Sequence, residues 1–363
     1  MRRSLAPSLV LVGWLVGCAA PQDPGGVDSG AALDDAGASD AAVRLDAPAP
    51  LDASAPADAG EPVADAAPAL GAPYPIVLAH GFFGFEDFAG AGFVDYFWRV
   101  RDALDADGET LVFTPAVDPF NDSVTRGRQL TAHVERILAE TGHARVNLVG
   151  HSQGGLDARV VARERPELVA SVVTIATPHG GTPVADVVLG LVADERARDL
   201  ADALARAIAA PLYDADGEET SVFASLRQFS TPGVEAFDRE YPIDEALPFF
   251  SIGGRSDRHS GGTECLVSDA PDFVRRWSLA RDPIDPLLAP SEAVLDGGFG
   301  DPFPNDGLVR VEDARAGRFL GCIPADHFDE IGQLLGDGGG FGNDFDHAAF
   351  YVELVRWLRA QGY

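Results

Sequence analysis

A doubly wound, mostly parallel α/β sheet with helices on both faces is the fold this sequence predicts. Three observations carry the prediction. Short apolar, β-branched runs recur at 74–79, 111–113, 146–149, 169–175 and 248–252, as expected of strands buried on both faces. Between several of them lie stretches with apolar residues at helical spacing. One strand also runs straight into Gly150-His151-Ser152-Gln153-Gly154. This Gly-x-Ser-x-Gly pattern suits a tight strand-to-helix turn that lifts a serine hydroxyl above the sheet.

The chain opens with a targeting segment. Arg2 and Arg3 give a positive start, Leu9 to Val16 an apolar stretch too short to span a membrane, and Leu15-Val16-Gly17-Cys18 a small-residue cleavage site. That site resembles a bacterial lipobox, in which Cys18 is acylated and becomes the mature N-terminus. The expectation is a signal peptide at 1–17 and an exported lipoprotein held at the outer membrane through Cys18. Residues 18–72 are rich in Ala, Asp, Pro and Gly and hold no aromatic residue. Such a segment buries too little apolar surface to offset its ordering entropy, so it reads as a tether to a folded domain at 73–363. The formal charge of −30 argues against a nucleic-acid partner. All 27 basic residues are arginine. After Cys18 only Cys265 and Cys322 remain, and an export signal with a single possible pair predicts a disulfide between them.

The domain's elements follow in order. Tyr74 to Ala79 is a buried strand leading into His80-Gly81-Phe82-Phe83-Gly84, a glycine-rich loop able to offer a backbone N–H to a developing oxyanion. Phe93, Phe97, Val100 and Leu104 mark the first helix, with Gly108 past its end. Leu111 to Phe113 is the next strand. A helix over 123–140 turns Leu130, Val134, Ile137 and Leu138 inward and closes at Gly142. The elbow strand and its helix (Leu156, Val160, Val161) come next, then the strand Val169 to Ile175. From Pro183 to Tyr241 helices run without a strand, and an apolar-faced cap over about 185–230 is expected there. Sheet character returns at Pro248 to Ile252 and at Phe319 to Ile323.

A serine hydroxyl is a poor nucleophile without a base and an acid that orients the base. In this strand order the sequence runs serine, acid, histidine. His80, His133, His143 and His151 precede the serine, and His179 follows too closely. His259 lies in a loop with no strand leading into it, and His347 in an apparent C-terminal helix. His327 follows the last strand. Upstream of it, Asp306 in Asn305-Asp306-Gly307 is the favoured acid, with Asp301, Glu312 and Asp313 as alternatives.

These stretches together resemble the Pseudomonas–Burkholderia family of bacterial triacylglycerol lipases, of α/β-hydrolase fold. The resemblance rests on Tyr74 to Gly81, Arg126-Gly127, Val146 to Leu156, Thr177-Pro178-His179, Asn305 to Val309 and His327-Phe328-Asp329-Glu330. It implies Ser152 as nucleophile, His327 as general base and Asp306 as its orienting carboxylate. The backbone N–H groups of Gln153 and Phe82 would form the oxyanion hole. It also implies one structural calcium ion, with carboxylates from Asp285 and Asp329 and carbonyls from Gln333 and Asp337. Asp282 rivals Asp285. Acylglycerol at a lipid–water interface is the implied substrate, and a membrane foldase an added partner. The family's second cysteine lies nearer the Asn-Asp-Gly turn, where this chain has Glu312, and its relatives are freely secreted. Other readings keep the chemistry in a short-chain carboxylesterase, polyester depolymerase or acyltransferase, or give the fold to a catalytically silent binding lipoprotein.

Overall fold

The computed structural model describes residues 68–82, 96–190, 222–256, 265–277, 280, 282–296, 303–333 and 343–363. Cys18 and the tether up to residue 67, the central part of the expected cap at 191–221, His259, Asp301 and Asp337 lie outside the described residues.

Among the described residues six strands form one sheet: β1 Ile76–Ala79, β2 Val112–Phe113, β3 Val146–His151, β4 Val169–Ile175, β5 Phe249–Gly254 and β6 Arg318–Ile323. Their order is β2-β1-β3-β4-β5-β6, and every neighbouring pair is parallel. The chain steps outward from β1 to β2, then returns past β1 to β3 and continues the other way. Such a reversal opens a crevice at the carboxyl ends of the strands around it. The loops that leave β1 and β3 here carry His80 and Ser152.

Strand alternation decides which helices cover which face. Ile76 and Leu78 point to one side, with Val149, Val173 and Ile252. There they pack against α1 (Val100–Ala106) and the C-terminal helix, through Leu104, Phe350, Tyr351 and Leu354. Val77 and Ala79 point to the other, with Leu148 and Val172. That side packs on α2 (Ser123–Thr141) and α3 (Gln153–Glu164) through Leu130, Val134, Ala158 and Val161. Each large aliphatic side chain buried this way stabilises by about 1.5–3 kcal/mol relative to exposure.

Local chemistry sets the helix ends. Asp122 accepts the Thr125 N–H at the start of α2, and Gly142 closes it at φ 73°, a left-handed conformation that glycine adopts without a Cβ penalty. The first helix begins at Val100, after Arg99 at φ 55° breaks the turn that follows Phe97, and Phe93 lies outside the described residues. Between 183 and 241 the described residues hold α4 (Pro183–Val188), α5 (Val222–Phe229) and α6 (Thr231–Glu240), with no strand among them. After β5 come α7 (Asp272–Arg275) and α8 (Ala289–Leu295), and β6 leads on to α9 (His347–Gln361). Cys265 and Cys322 are bonded across 57 residues of sequence, with Cα atoms 5.2 Å apart, in a pocket shared with Val311 and Phe319.

Candidate active site

Ser152 occupies the turn between β3 and α3 at φ 54°, ψ −127°, a conformation that a residue with a side chain adopts only under constraint. The constraint is close packing. A Cβ at Gly150 would lie 2.5 Å from the Gly154 carbonyl carbon, and one at Gly154 would lie 2.1 Å from the Ala79 carbonyl oxygen. The backbone is pinned as well: the Ser152 N–H donates to the Ile175 carbonyl, and the Thr177 hydroxyl donates to the Ser152 carbonyl at 2.7 Å.

The carboxyl ends of the strands bring the expected base and acid to this serine. Nε2 of His327, in the loop after β6, lies 2.9 Å from the Ser152 Oγ. Its Nδ1 lies 2.8 Å from Asp306 Oδ2. Asp306 is fully buried, and its other oxygen accepts the N–H groups of Leu308 and Val309 at 2.8 and 2.6 Å. The turn thus orders the carboxylate and leaves one oxygen for the imidazole. The His327 N–H also donates to the Asp306 carbonyl, so backbone and side chain align the pair together. Of the rival acids, Asp313 faces Gly180, whose N–H donates to its carbonyl. The rival His347 packs on Gly332 at the start of α9, with its Nε2 2.8 Å from the Trp98 carbonyl.

The loop after β1 is held from behind. Arg126 is fully buried on α2 and donates to the His80 carbonyl at 2.6 Å, the Gly81 carbonyl at 3.3 Å and the Asp118 carbonyl at 2.7 Å. Its Nε donates to Asp157 of α3 at 2.8 Å. Burial pushes the Asp157 carboxyl up to about 6, against the pull of Arg126. His80 accepts the Val117 N–H at Nε2, which leaves its Nδ1–H to donate to the Gly81 carbonyl. Burial, with Arg126 nearby, takes its pKa down to about 3, so the ring stays neutral. The Phe82 ring packs edge-on against Phe120 and Phe229, tying the expected hole donor to α5.

Gln153 has a second attachment beyond its expected backbone role. Its amide donates to the Asn121 carbonyl at 2.7 Å, the acceptor that Ser225 of α5 also uses. Gln228 of α5 accepts the Ser123 N–H at 2.6 Å. The foot of the helical excursion is therefore docked on the turn beside Ser152.

Several participants were given no role by the sequence. Arg126 had a signal, since it stands at helical spacing with Leu130 and Val134 in a stripe that should be apolar. His151 Nε2 lies 2.8 Å from Glu330 Oε2, its Nδ1 lies 2.7 Å from the Tyr96 hydroxyl, and its ring centre is 4.7 Å from that of His327. Nothing local in the sequence marked Tyr96 or Glu330 as its partners.

The structure separates the expected calcium ligands. The carboxylate of Asp285 accepts its own turn's Leu287 N–H at 2.7 Å, and its backbone N–H donates to Asp326 Oδ2. The acidic group that does assemble is Asp282, Asp326 and Asp329, all buried, with oxygens within 4.8 Å of one another. Burial and the neighbouring Asp326 charge push Asp282 up to about 7. Crowded carboxylates withdrawn from water are the donor set a hard dication with oxygen preference would neutralise. Gln333 closes the turn after Asp329, its N–H donating to the Phe328 carbonyl.

Comparison with known proteins gives this geometry a family. Residues 74–216 match the alpha/beta hydrolase fold family. A triacylglycerol lipase of Vibrio cholerae is 36% identical over 298 residues, covering 80% of this chain and 88% of the relative. One of Burkholderia plantarii is 30% identical over 318 residues, covering 80% and 87%. Among solved structures, a metagenomic carboxyl esterase superposes with a TM-score of 0.54 at 18% identity, covering 85% of this chain and 82% of its own, and so shares the fold. With its parallel sheet and serine elbow, the chain belongs to the bacterial triacylglycerol lipases of the Pseudomonas–Burkholderia type, carboxylic ester hydrolases of the α/β-hydrolase fold.

Proposed function

We propose that this protein is a triacylglycerol lipase working through Ser152, His327 and Asp306 and an acyl-enzyme. The observation that carries the reading is the unbroken line from Ser152 Oγ through both nitrogens of His327 to the buried Asp306. In this mechanism His327 Nδ1–H donates to Asp306, which leaves Nε2 free to take the Ser152 proton as Oγ attacks the ester carbonyl. The N–H groups of Gln153 and Phe82 receive the oxyanion, where loss of one donor typically costs about 2.7–4 kcal/mol in the transition state. His327 then hands its proton to the departing alcohol. Water repeats the attack and frees the fatty acid. Apolar side chains at the loop, Phe82, Phe120 and Phe229, suit an acyl chain better than a charged substrate.

We further propose calcium at Asp282, Asp326 and Asp329, where it would act as a structural tie holding the His327 loop. Loss of thermal stability on chelation, restored by calcium, tests it. An unchanged midpoint would remove the ion from the account.

Activity is tested by an ester series from short soluble acyl chains to emulsified long-chain triacylglycerol, with wild type and Ser152→Ala. The wild type should hydrolyse the long chains and react at Ser152 with a phosphonate. Equal hydrolysis by Ser152→Ala would sink the mechanism. Activity confined to short soluble esters would sink the lipase reading and leave a carboxylesterase.

A further inference from the structure

Three polar side chains lie in a line behind the nucleophile, and each stands close to a member of the site. His151 precedes Ser152. Glu330 follows His327 by three. The Tyr96 hydroxyl lies against Gly81, one residue before Phe82. The Tyr96 hydroxyl is 2.7 Å from His151 Nδ1, and His151 Nε2 is 2.8 Å from Glu330 Oε2. His151 and Glu330 are fully buried. We propose that Tyr96, His151 and Glu330 are positioning residues that hold the oxyanion loop in register with Ser152 and fasten it to the turn carrying His327. The proposal rests on the serine-hydrolase reading and adds to it the means by which the hole is kept in shape.

Gly81 is the residue this line must hold. It has no side chain to pack, and none would fit. A Cβ there would lie 2.5 Å from the Tyr96 hydroxyl oxygen and 2.7 Å from the Ser152 Cβ. Only polar contacts are therefore left to orient its peptide planes. The His80–Gly81 peptide is rigid and planar, so its carbonyl and N–H turn together. Arg126 takes the carbonyl end at 2.6 Å. Tyr96 stands on the other side, its hydroxyl packed against Gly81 itself. With the carbonyl bonded and the phenol against the glycine, rotation of the next peptide, which bears the Phe82 N–H, is limited.

A neutral His151 joins the other two members of the line, with the phenol O–H donating to Nδ1 and Nε2–H donating to Glu330 Oε2. Burial favours the neutral imidazole, which has one N–H to give. An apolar trio would fill the same volume without the desolvation penalty that buried polar and charged groups carry. That penalty is better explained by alignment of the hole than by stability. Catalysis by preorganised donors requires such alignment, because a donor displaced from the oxyanion's position contributes little.

The test compares Tyr96→Phe, Glu330→Gln and Glu330→Leu with wild type and Ser152→Ala on one soluble ester. Tyr96→Phe should lower kcat by about 10- to 100-fold, a part of the roughly 10²–10³-fold typical of losing a hole donor outright. Its KM should stay within about twofold, its thermal midpoint should hold, and the acid limb of kcat/KM should not move. Glu330→Leu should match that fall in kcat, whereas Glu330→Gln, which keeps an acceptor oxygen, should recover most of it. Combining Tyr96→Phe with Glu330→Leu should lower kcat no further. Wild-type kcat in Tyr96→Phe beside an inactive Ser152→Ala would overturn the proposal alone. So would a shifted acid limb, which would assign the line to His327, or a Glu330→Gln variant as impaired as Glu330→Leu. Full activity in Ser152→Ala would overturn the underlying mechanism too.

Discussion

At the scale of single residues, burial decides what each titratable group can do. His80, His151 and His179 are held neutral chiefly by desolvation, so none of them can share a charge with the site. Asp313, weighed as an acid from sequence, is raised from 3.8 to about 6 by partial burial and then by Glu312. The folded state keeps the Asp313 proton where the unfolded chain has lost it, so ionisation of this group erodes stability as pH rises from about 4 to about 6. Asp313→Asn should therefore gain on wild type by about 1–2 kcal/mol at pH 8, after discounting the shift for its solvent exposure, and gain nothing at about pH 3.5. Urea unfolding at the two pH values reads this directly. An equal difference at both would show that the carboxyl's ionisation is not what the substitution relieves.

At the scale of elements, each strand end delivers one part of the site and a neighbouring helix holds it there. β1 delivers the His80 loop, β3 the serine, and β6 the histidine. Helix α2 holds the first of these through Arg126, whose planar guanidinium donates to three carbonyls and to Asp157. Lysine offers one compact ammonium in place of that fork. Arg126→Lys should consequently lower kcat by about tenfold or more and reduce the thermal midpoint, because buried carbonyls and the Asp157 carboxylate lose partners. Measured kcat and melting temperature together check this. Unchanged kcat in a folded variant would show that α2 carries the loop without its arginine. In the sequence, Gly-x-Ser-x-Gly was legible because the elbow is made by five adjacent residues. Arg126 was legible as part of the family resemblance but not in its role, because its carbonyl targets lie 8 to 46 residues away.

At the scale of the whole molecule, a disulfide and an acidic group flank the His327 loop. The Cys265–Cys322 bridge anchors β6, and a span of 57 residues is worth about 4 kcal/mol on the chain-entropy account. The acidic group at Asp282, Asp326 and Asp329 gathers beside His327, two of its members within two residues of it. A calcium ion held there at about a hundred times its Kd would add about 2.7 kcal/mol to stability. Chelation should then lower the melting temperature by several degrees, and Asp282→Asn should abolish the response. A chelation response that survives intact in Asp282→Asn would move the ion elsewhere.

The sheet and the elbow were readable before folding. Each is written in local pattern: apolar runs, helical spacing, and glycines where a turn leaves no room for a side chain. Which carboxylates meet was settled by packing alone. Folding turned Asp285 into its own turn and brought Asp282 to Asp326 and Asp329, a choice between two aspartates three positions apart that composition cannot make. It likewise joined His151 to Glu330 across 179 residues and to Tyr96 across 55. The difference is one of range. Hydrogen bonds act over about 3 Å, and positions far apart along the chain come that close only after the sheet has packed.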